Sequence, residues 1–187
     1  DRTYLLHQAD PEADILEVLM ERTKPEYPGA FELNQTVPLL PTLKTLMETY
    51  DEDSPPTQLL EGNGFNPNEE PWKRFKIKSV LTLPLQPRMG NPWLFGLQQC
   101  SYVREWTTSE QKLFQTIGRR LTDALSAIIM YRDLQESEAR YREAQRIAHL
   151  GHWSFDPHTE QFLWWSEETF RLLGLNPAKG HPTYQEF

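Results

Sequence analysis

"KIKSVLTLPLQPRMGNPWLFGLQQCSYVREWTTSEQKLFQTIGRRLTDAL", residues 76–125, decides the fold. Two apolar runs rich in β-branched and aromatic residues, 76–86 and 92–103, flank "PRMGN" with a glycine at its tip. That is the pattern of an antiparallel hairpin. The texture then changes. No proline occurs between Thr107 and Gly151. Thr107 or Thr108 is placed to cap a helix with Glu110 in its first turn, and Gly151 is placed to close it. Phe114, Ile117, Leu121, Ala124, Ile128 and Tyr131 recur at helical spacing, and Leu113, Leu125 and Ile129 widen the stripe. Unbroken, such a helix of roughly 43 residues is about 65 Å long, more than a small domain can cover. From Gln135 the stripe turns polar. The first half is therefore expected to pack on a sheet or a partner, and the second half to bridge domains as a connector.

On the N-terminal side, "TYLLHQ" (3–8) and "DILEVLME" (14–21) are separated by the turn-forming "ADPEA" and read as a second hairpin. "TQLLE" (57–61) is a further strand. The passage between residues 21 and 57 is rich in Pro, Gly, Asn and acids, and carries a short helix over 41–50 with Pro41 in its first turn. Another short helix is expected over "NEEPWKRF" (68–75). On the C-terminal side, "GHWSFDPHTEQFLWWSEETFRLLGL" (151–175) reads as two short aromatic strands followed by a helix. Alternation puts Trp164 and Trp165 on opposite faces. Strands gathered into an antiparallel sheet with helices flanking it make the fold class α+β.

Composition excludes several functions. With 187 residues, 38% apolar and 25% charged, the chain has globular rather than disordered composition. No run approaches the 18 or so apolar residues of a membrane span. A formal net charge of −8, with the basic residues scattered along helices, argues against nucleic acid as a partner. The single cysteine, Cys100, excludes an internal disulfide, a Cys-rich zinc site and thiol cycling. A reducing cytoplasm fits best.

The order of hairpin, irregular segment, hairpin and long helix resembles a GAF domain, the small-molecule sensing module of bacterial signalling proteins. The carrying residues are "SVLTLPL" (79–85), "PWLFGLQQC" (92–100) and "REWTTSEQKLFQTIGRRLTDAL" (104–125). In GAF domains the penultimate strand ends in a Pro-containing "vPL", the last strand carries a mid-strand glycine, and a pattern like "R.wt..E..ll..ig..l..al" opens the final helix. "DRTYLL" and "ERTKPEYPGA" (21–30) also look like GAF sequences of sensor kinases. The resemblance covers residues 1–132 and lacks the first helix. Residues 133–150 are then the connector. "SEARYREAQRIAHLGHWSFDPHTEQFLWWSEETFRLLGL" (137–175) resembles the start of a PAS domain, which makes 151–187 an incomplete PAS domain and the chain a piece of a longer protein.

The resemblance implies a ligand cavity walled by aromatic residues: Tyr27 in "PEYPGAF" (25–31), Trp72 and Phe75 in "PWKRFKI" (71–77), and Trp93, with Cys100 beside them. A cavity filled by its own side chains is the alternative. Some GAF domains attach a bilin through cysteine, but Cys100 lies on a strand and is followed by Ser101 rather than histidine, so no covalently bound cofactor is expected. The identity of any cofactor stays open. Among the five histidines, His149 and His152 bracket a helix C-terminus, where the dipole favours them, and the spacing indicates neither haem nor zinc. No nucleophile and base are placed together by motif, so no catalytic or metal-binding residue is assigned. The expectation is a non-enzymatic input and relay module of a bacterial sensor histidine kinase or cyclic-dinucleotide enzyme. It would form a parallel homodimer through Phe114, Ile117, Leu121, Leu125 and Ile128, without membrane contact. A dimerisation scaffold with a filled cavity is the alternative, and an enzyme using the cavity is a third reading.

Overall fold

A computed structural model describes residues 1–8, 12, 14–51, 53–61, 64–66, 68 and 70–184. Most of the "ADPEA" turn, residues 62–63 and part of "NEEPWKRF" lie outside the described residues. The chain divides into two compact units, Asp1–Met130 and Tyr131–Phe187.

The first unit is built on strands β1 (Arg2–His7), β2 (Ile15–Thr23), β3 (Val37–Pro38), β4 (Thr57–Glu61), β5 (Gly64–Phe65), β6 (Ser79–Leu85) and β7 (Trp93–Gln99). They form one sheet in the order β3-β2-β1-β7-β6-β4-β5, antiparallel except for the short parallel pairing of β4 with β5. The hairpin read from "LPLQPRMGNPWLF" is in place. Ser79 pairs with Gln99 and Leu85 with Trp93, and Gly90 takes the left-handed φ of 87° that the turn needs. The mid-strand Gly96 has a packing cause: the phenol of buried Tyr4 occupies the space a side chain there would fill.

Both faces of this sheet are covered, and β6 is buried along its whole length. Alternation sorts the strands' side chains. Tyr4, Leu6, Leu16, Val80, Leu94 and Cys100 join one core with Ala30, Leu39, Leu43, Met47, Trp72, Phe75 and Ile77. These come from the irregular passages and from helix α1 (Pro41–Thr49), which starts on Pro41 as expected. Leu81, Leu83, Leu85 and Phe95 join a second core with Trp106 and Phe114 on the opposite face.

Helix α2 (Thr108–Ala148) opens on a capping box. The Glu110 N–H donates to Thr107 Oγ1 at 3.3 Å, and the Glu110 carboxylate accepts the Thr107 N–H at 2.8 Å. Its sheet-facing line differs from the expected one. Phe114 is buried, stacked on Phe95 with ring centroids 4.7 Å apart. Next come buried Gly118, half-buried Leu121 and Leu125, and buried Ser126. Gly118 decides the rotation: without a Cβ it lies directly over Leu83. Ile117 and Ile128 consequently stay 42% and 58% exposed. A second difference concerns residues 70–76, which run as turns rather than a helix. Pro71 offers no N–H and restricts Glu70 before it, and the stretch closes as turns, with Phe75 N–H on Pro71 O at 3.1 Å, Lys76 N–H on Lys73 O at 3.2 Å and Ile77 N–H on Trp72 O at 2.9 Å.

In the second unit, the last part of α2 is followed by β8 (Trp153–Asp156), β9 (Gln161–Trp165), α3 (Glu167–Leu172) and a 3₁₀ turn (Pro177–Lys179). β8 and β9 pair antiparallel. Trp165 is buried with Phe162 and Phe170, while Trp164 on the other face is exposed. The helix ends differently from expectation. His149, not Gly151, takes the left-handed conformation (φ 53°), and Leu150 N–H closes the end on Gln145 O. Gly151 is needed for another reason: a Cβ there would come within 2.9 Å of the Thr169 backbone.

Candidate functional site

Inward-facing positions of paired strands should be apolar, and here two are charged. In β1 the inward residues are Arg2, Tyr4 and Leu6, and across the ladder Glu21 of β2 stands opposite Tyr4. Arg2 and Glu21 side chains are 2% and 5% exposed, with Nε to Oε1 at 3.5 Å. A buried pair of this kind persists only when its remaining donors and acceptors are satisfied. Nearly all of them are, by one short segment and by Gln98 of β7. Arg2 Nη2 donates to Tyr27 O (2.9 Å) and Pro28 O (3.0 Å), and Nη1 donates to Gln98 Oε1 (2.6 Å). Glu21 Oε2 accepts the Phe31 N–H at 3.0 Å. Gly29 lies so close to the Glu21 carboxylate that any side chain there would collide with it. The guanidinium stands 5.6 Å from the centre of the Phe75 ring, which backs it. Arg2 Nε alone is buried without a hydrogen-bond partner.

A cavity of about 20 Å³ is lined by Arg2, Glu21, Gln98 and Tyr4 together with Ala30, Val37, Phe75 and Ile77. That is room for a water-sized group. Burial pushes the Tyr4 hydroxyl up to about 12, so the phenol remains a neutral hydrogen-bonding group at physiological pH.

Of the residues expected at a pocket, Phe75 lines this cavity. Trp72 and Cys100 are buried in the same core, with Tyr27 packed half-buried against it. Trp93 lies on the other face, against the α2 layer, with its ring 4.5 Å from that of His7. The Cys100 thiol is pushed up by burial and does not line the cavity. Sequence reasoning missed Arg2, Glu21, Gln98 and Gly29. Alternation in β1 was the available signal for Arg2, which shares a face with Tyr4 and Leu6; Glu21 turns inward only because a register shift opposite Leu5 and Leu6 breaks the alternation that Leu16 and Val18 set in β2.

The second unit carries an open groove of about 730 Å³, lined by Tyr141, Gln145, His152, Trp164, Ser166 and Glu168 among others. Three ion pairs line it, Glu138–Arg142, Glu143–Arg146 and Glu168–Arg171, and Glu168 is held below the usual carboxylate range chiefly by the Arg171 guanidinium. Gln145 meets His152 Nδ1 at 3.0 Å. Among the described residues no group of three or more His, Cys, Asp or Glu is placed to hold a metal ion, and no helix is long and apolar enough to cross a membrane.

Solved structures of GAF domains share this architecture. The phycoerythrobilin-bound GAF domain of a cyanobacterial phytochrome aligns with a TM-score of 0.55 and 15% identity, over 71% of this chain and 79% of that one. The red light-absorbing state of the red/green cyanobacteriochrome NpR6012g4 aligns with a TM-score of 0.54 and 18% identity, over 70% and 85%. The phycocyanobilin-bound GAF domain of a cyanobacterial phytochrome gives 0.52 and 16%, over 68% and 75%. No protein-family model and no curated protein matches the sequence. The chain thus has an α+β fold of the GAF type.

Proposed function

We propose that this chain is a sensory input and relay module of a bacterial multidomain signalling protein, a sensor histidine kinase or a cyclic-dinucleotide enzyme, working at the cytoplasmic side without enzymatic activity of its own. The observation that carries the proposal is the GAF-type sheet with a polar cluster buried under one face and α2 packed on the other. α2 continues past the first unit as one unbroken helix to Ala148. A change in the packing of the sheet alters the seat of Phe114, Leu121 and Leu125, and the helix carries the change onward.

A bound bilin, as in the two phytochrome GAF domains, does not fit the residues present. The cavity has about 20 Å³, against the several hundred a drug-sized ligand occupies. The single cysteine is buried, burial raises the pKa of its thiol, and it does not line the cavity. The same small volume favours the second reading, a scaffold whose core is filled and whose task is pairing of chains.

Relay to a paired output needs a dimer in parallel register. Ile117 and Ile128, exposed on α2, are the surfaces we assign to it, with Leu121 and Leu125 half-covered at the margin. Phe114 is committed to Phe95 and contributes indirectly. Light scattering over a concentration series tests the relay: the dimer fraction is expected to rise with concentration and to vanish in Ile128→Glu. A monomer at every concentration, unchanged by Ile128→Glu and Leu121→Glu, would leave the helix a tether.

A further inference from the structure

The buried Arg2–Glu21 pair ties the sheet to the segment Tyr27–Phe31. Among the described residues, every hydrogen bond it makes outside β1, β2 and β7 goes to one segment: Tyr27 O and Pro28 O on the guanidinium and Phe31 N–H on the carboxylate, with Gly29 pressed against that carboxylate. Few other hydrogen bonds hold that segment to the sheet. Thr23 Oγ1 donates to Tyr27 O at 2.5 Å. The remainder are internal turn bonds, such as Leu33 N–H to Gly29 O and Gln35 N–H to Ala30 O. Phe31 and Leu33, just beyond it, are exposed. From this segment buried Ala30 lines the cavity, next to buried Gly29. Beneath it lie the ring of Phe75 and the side chains of Val37 and Ile77.

Building on the sensory reading, we propose that Tyr27–Phe31 is the lid of the ligand site, and that the ligand is a small monocarboxylate with an apolar body. The chemistry lies in which guanidinium nitrogens the lid controls. Both backbone acceptors from the lid fall on Nη2, and the adjacent Nε is the nitrogen without a hydrogen-bond partner. When the lid lifts, Nε and Nη2 together become a free fork, the edge that receives a carboxylate through two parallel hydrogen bonds. Nη1 stays anchored on Gln98, and Phe75 still backs the plane, so the fork keeps its orientation. Glu21 loses Phe31 and yields its place beside Nε to the incoming acid. Phe75, Ile77, Val37 and Pro71 receive the apolar body.

Two measurements on the whole chain test this. Hydrogen exchange compares Gly29–Gln35 amides with those of β6 and β7 in the wild type and in Glu21→Gln. The lid amides are expected to exchange about tenfold faster in the variant, the effect of replacing a charge-assisted hydrogen bond and its ion pair by a neutral one, with the sheet unchanged. Calorimetric titration uses acetate to octanoate and phenylacetate, each beside its primary amide. At least one acid is expected to bind roughly 10- to 100-fold more tightly than its amide, the preference disappearing in Arg2→Met. Should that variant be too unstable, Arg2→Met combined with Glu21→Leu removes both charges at once and is expected to lose the same preference. Lid and sheet amides exchanging together in both proteins would overturn the lid. No acid preferred over its amide would overturn the ligand class. Neither result touches the broader sensory reading, which is decided by whether any small molecule binds.

Discussion

Phe114→Ala should loosen α2 from the sheet more than any other single truncation along that helix. Phe114 is the buried large apolar side chain that α2 presents to the sheet, 4% exposed and stacked on Phe95. Its neighbours on the same line are a glycine, two half-buried leucines and a serine. Truncating a buried Phe to Ala costs about 3–5 kcal/mol, including the cavity left and the lost ring stacking. Set against a typical domain stability of about 5–15 kcal/mol, this is a large share. At roughly 4 °C per kcal/mol for a unit of this size, melting should fall by about 12–20 °C. Urea titration followed by tryptophan fluorescence is the assay, since Trp106 is buried in the same cluster. Ile117→Ala, at a position 42% exposed, is the control and should cost less than about 1 kcal/mol. Equal losses for Phe114→Ala and Ile117→Ala would refute the assigned rotation of the helix.

Gly118→Ala should destabilise although alanine is the better helix former by about 1 kcal/mol. The new Cβ would stand 2.7 Å from Leu83 Cδ1, and Leu83 is itself fully enclosed; a raised urea midpoint would contradict this. Glu110 is held below its ordinary value of 4.5, first by the Thr107 N–H and then by the Arg104 side chain. A lowered folded-state value means the cap's contribution is complete above the unfolded pKa and is lost as pH falls through the folded one. Amide protection in the first turn of α2 should therefore decline on acidification, and Glu110→Gln should flatten that decline. In the second unit, Ser166 Oγ accepts N–H groups from both Thr169 and His152. Ser166→Ala should cost about 1–2 kcal/mol and speed exchange over α3, and unchanged exchange there would remove the cap from the account.

Local rules carried much of the fold. The hairpin around "PRMGN", the α1 start at Pro41, the Thr107–Glu110 cap and the opposite exposures of Trp164 and Trp165 all follow from turn chemistry, capping and alternation. What failed depended on tertiary contact. Ile117 and Ile128 fit a helical stripe as well as Gly118 does not, and only the closeness of Leu83 shows that the glycine faces the sheet. His149 has no glycine's freedom, yet it ends α2, because Gly151 is required against Thr169. The pocket reading weighed aromatic residues, and Trp93 proved to lie on the far face because strand parity, not ring chemistry, assigns it. Arg2 and Glu21 went unread because a charge on a strand suggests solvent. Their burial depends on backbone groups with no signature in the sequence, the carbonyls of Tyr27 and Pro28 for Arg2 and the Phe31 N–H for Glu21.

The central claim is that the GAF-type unit receives a small molecule. Native mass spectrometry of the purified chain, before and after incubation with a bacterial metabolite extract, tests it most directly. The account predicts a mass increment of one small molecule per chain, released on denaturation and missing in Arg2→Met. The bare chain mass under every condition, from protein whose sheet is intact by hydrogen exchange, would contradict it.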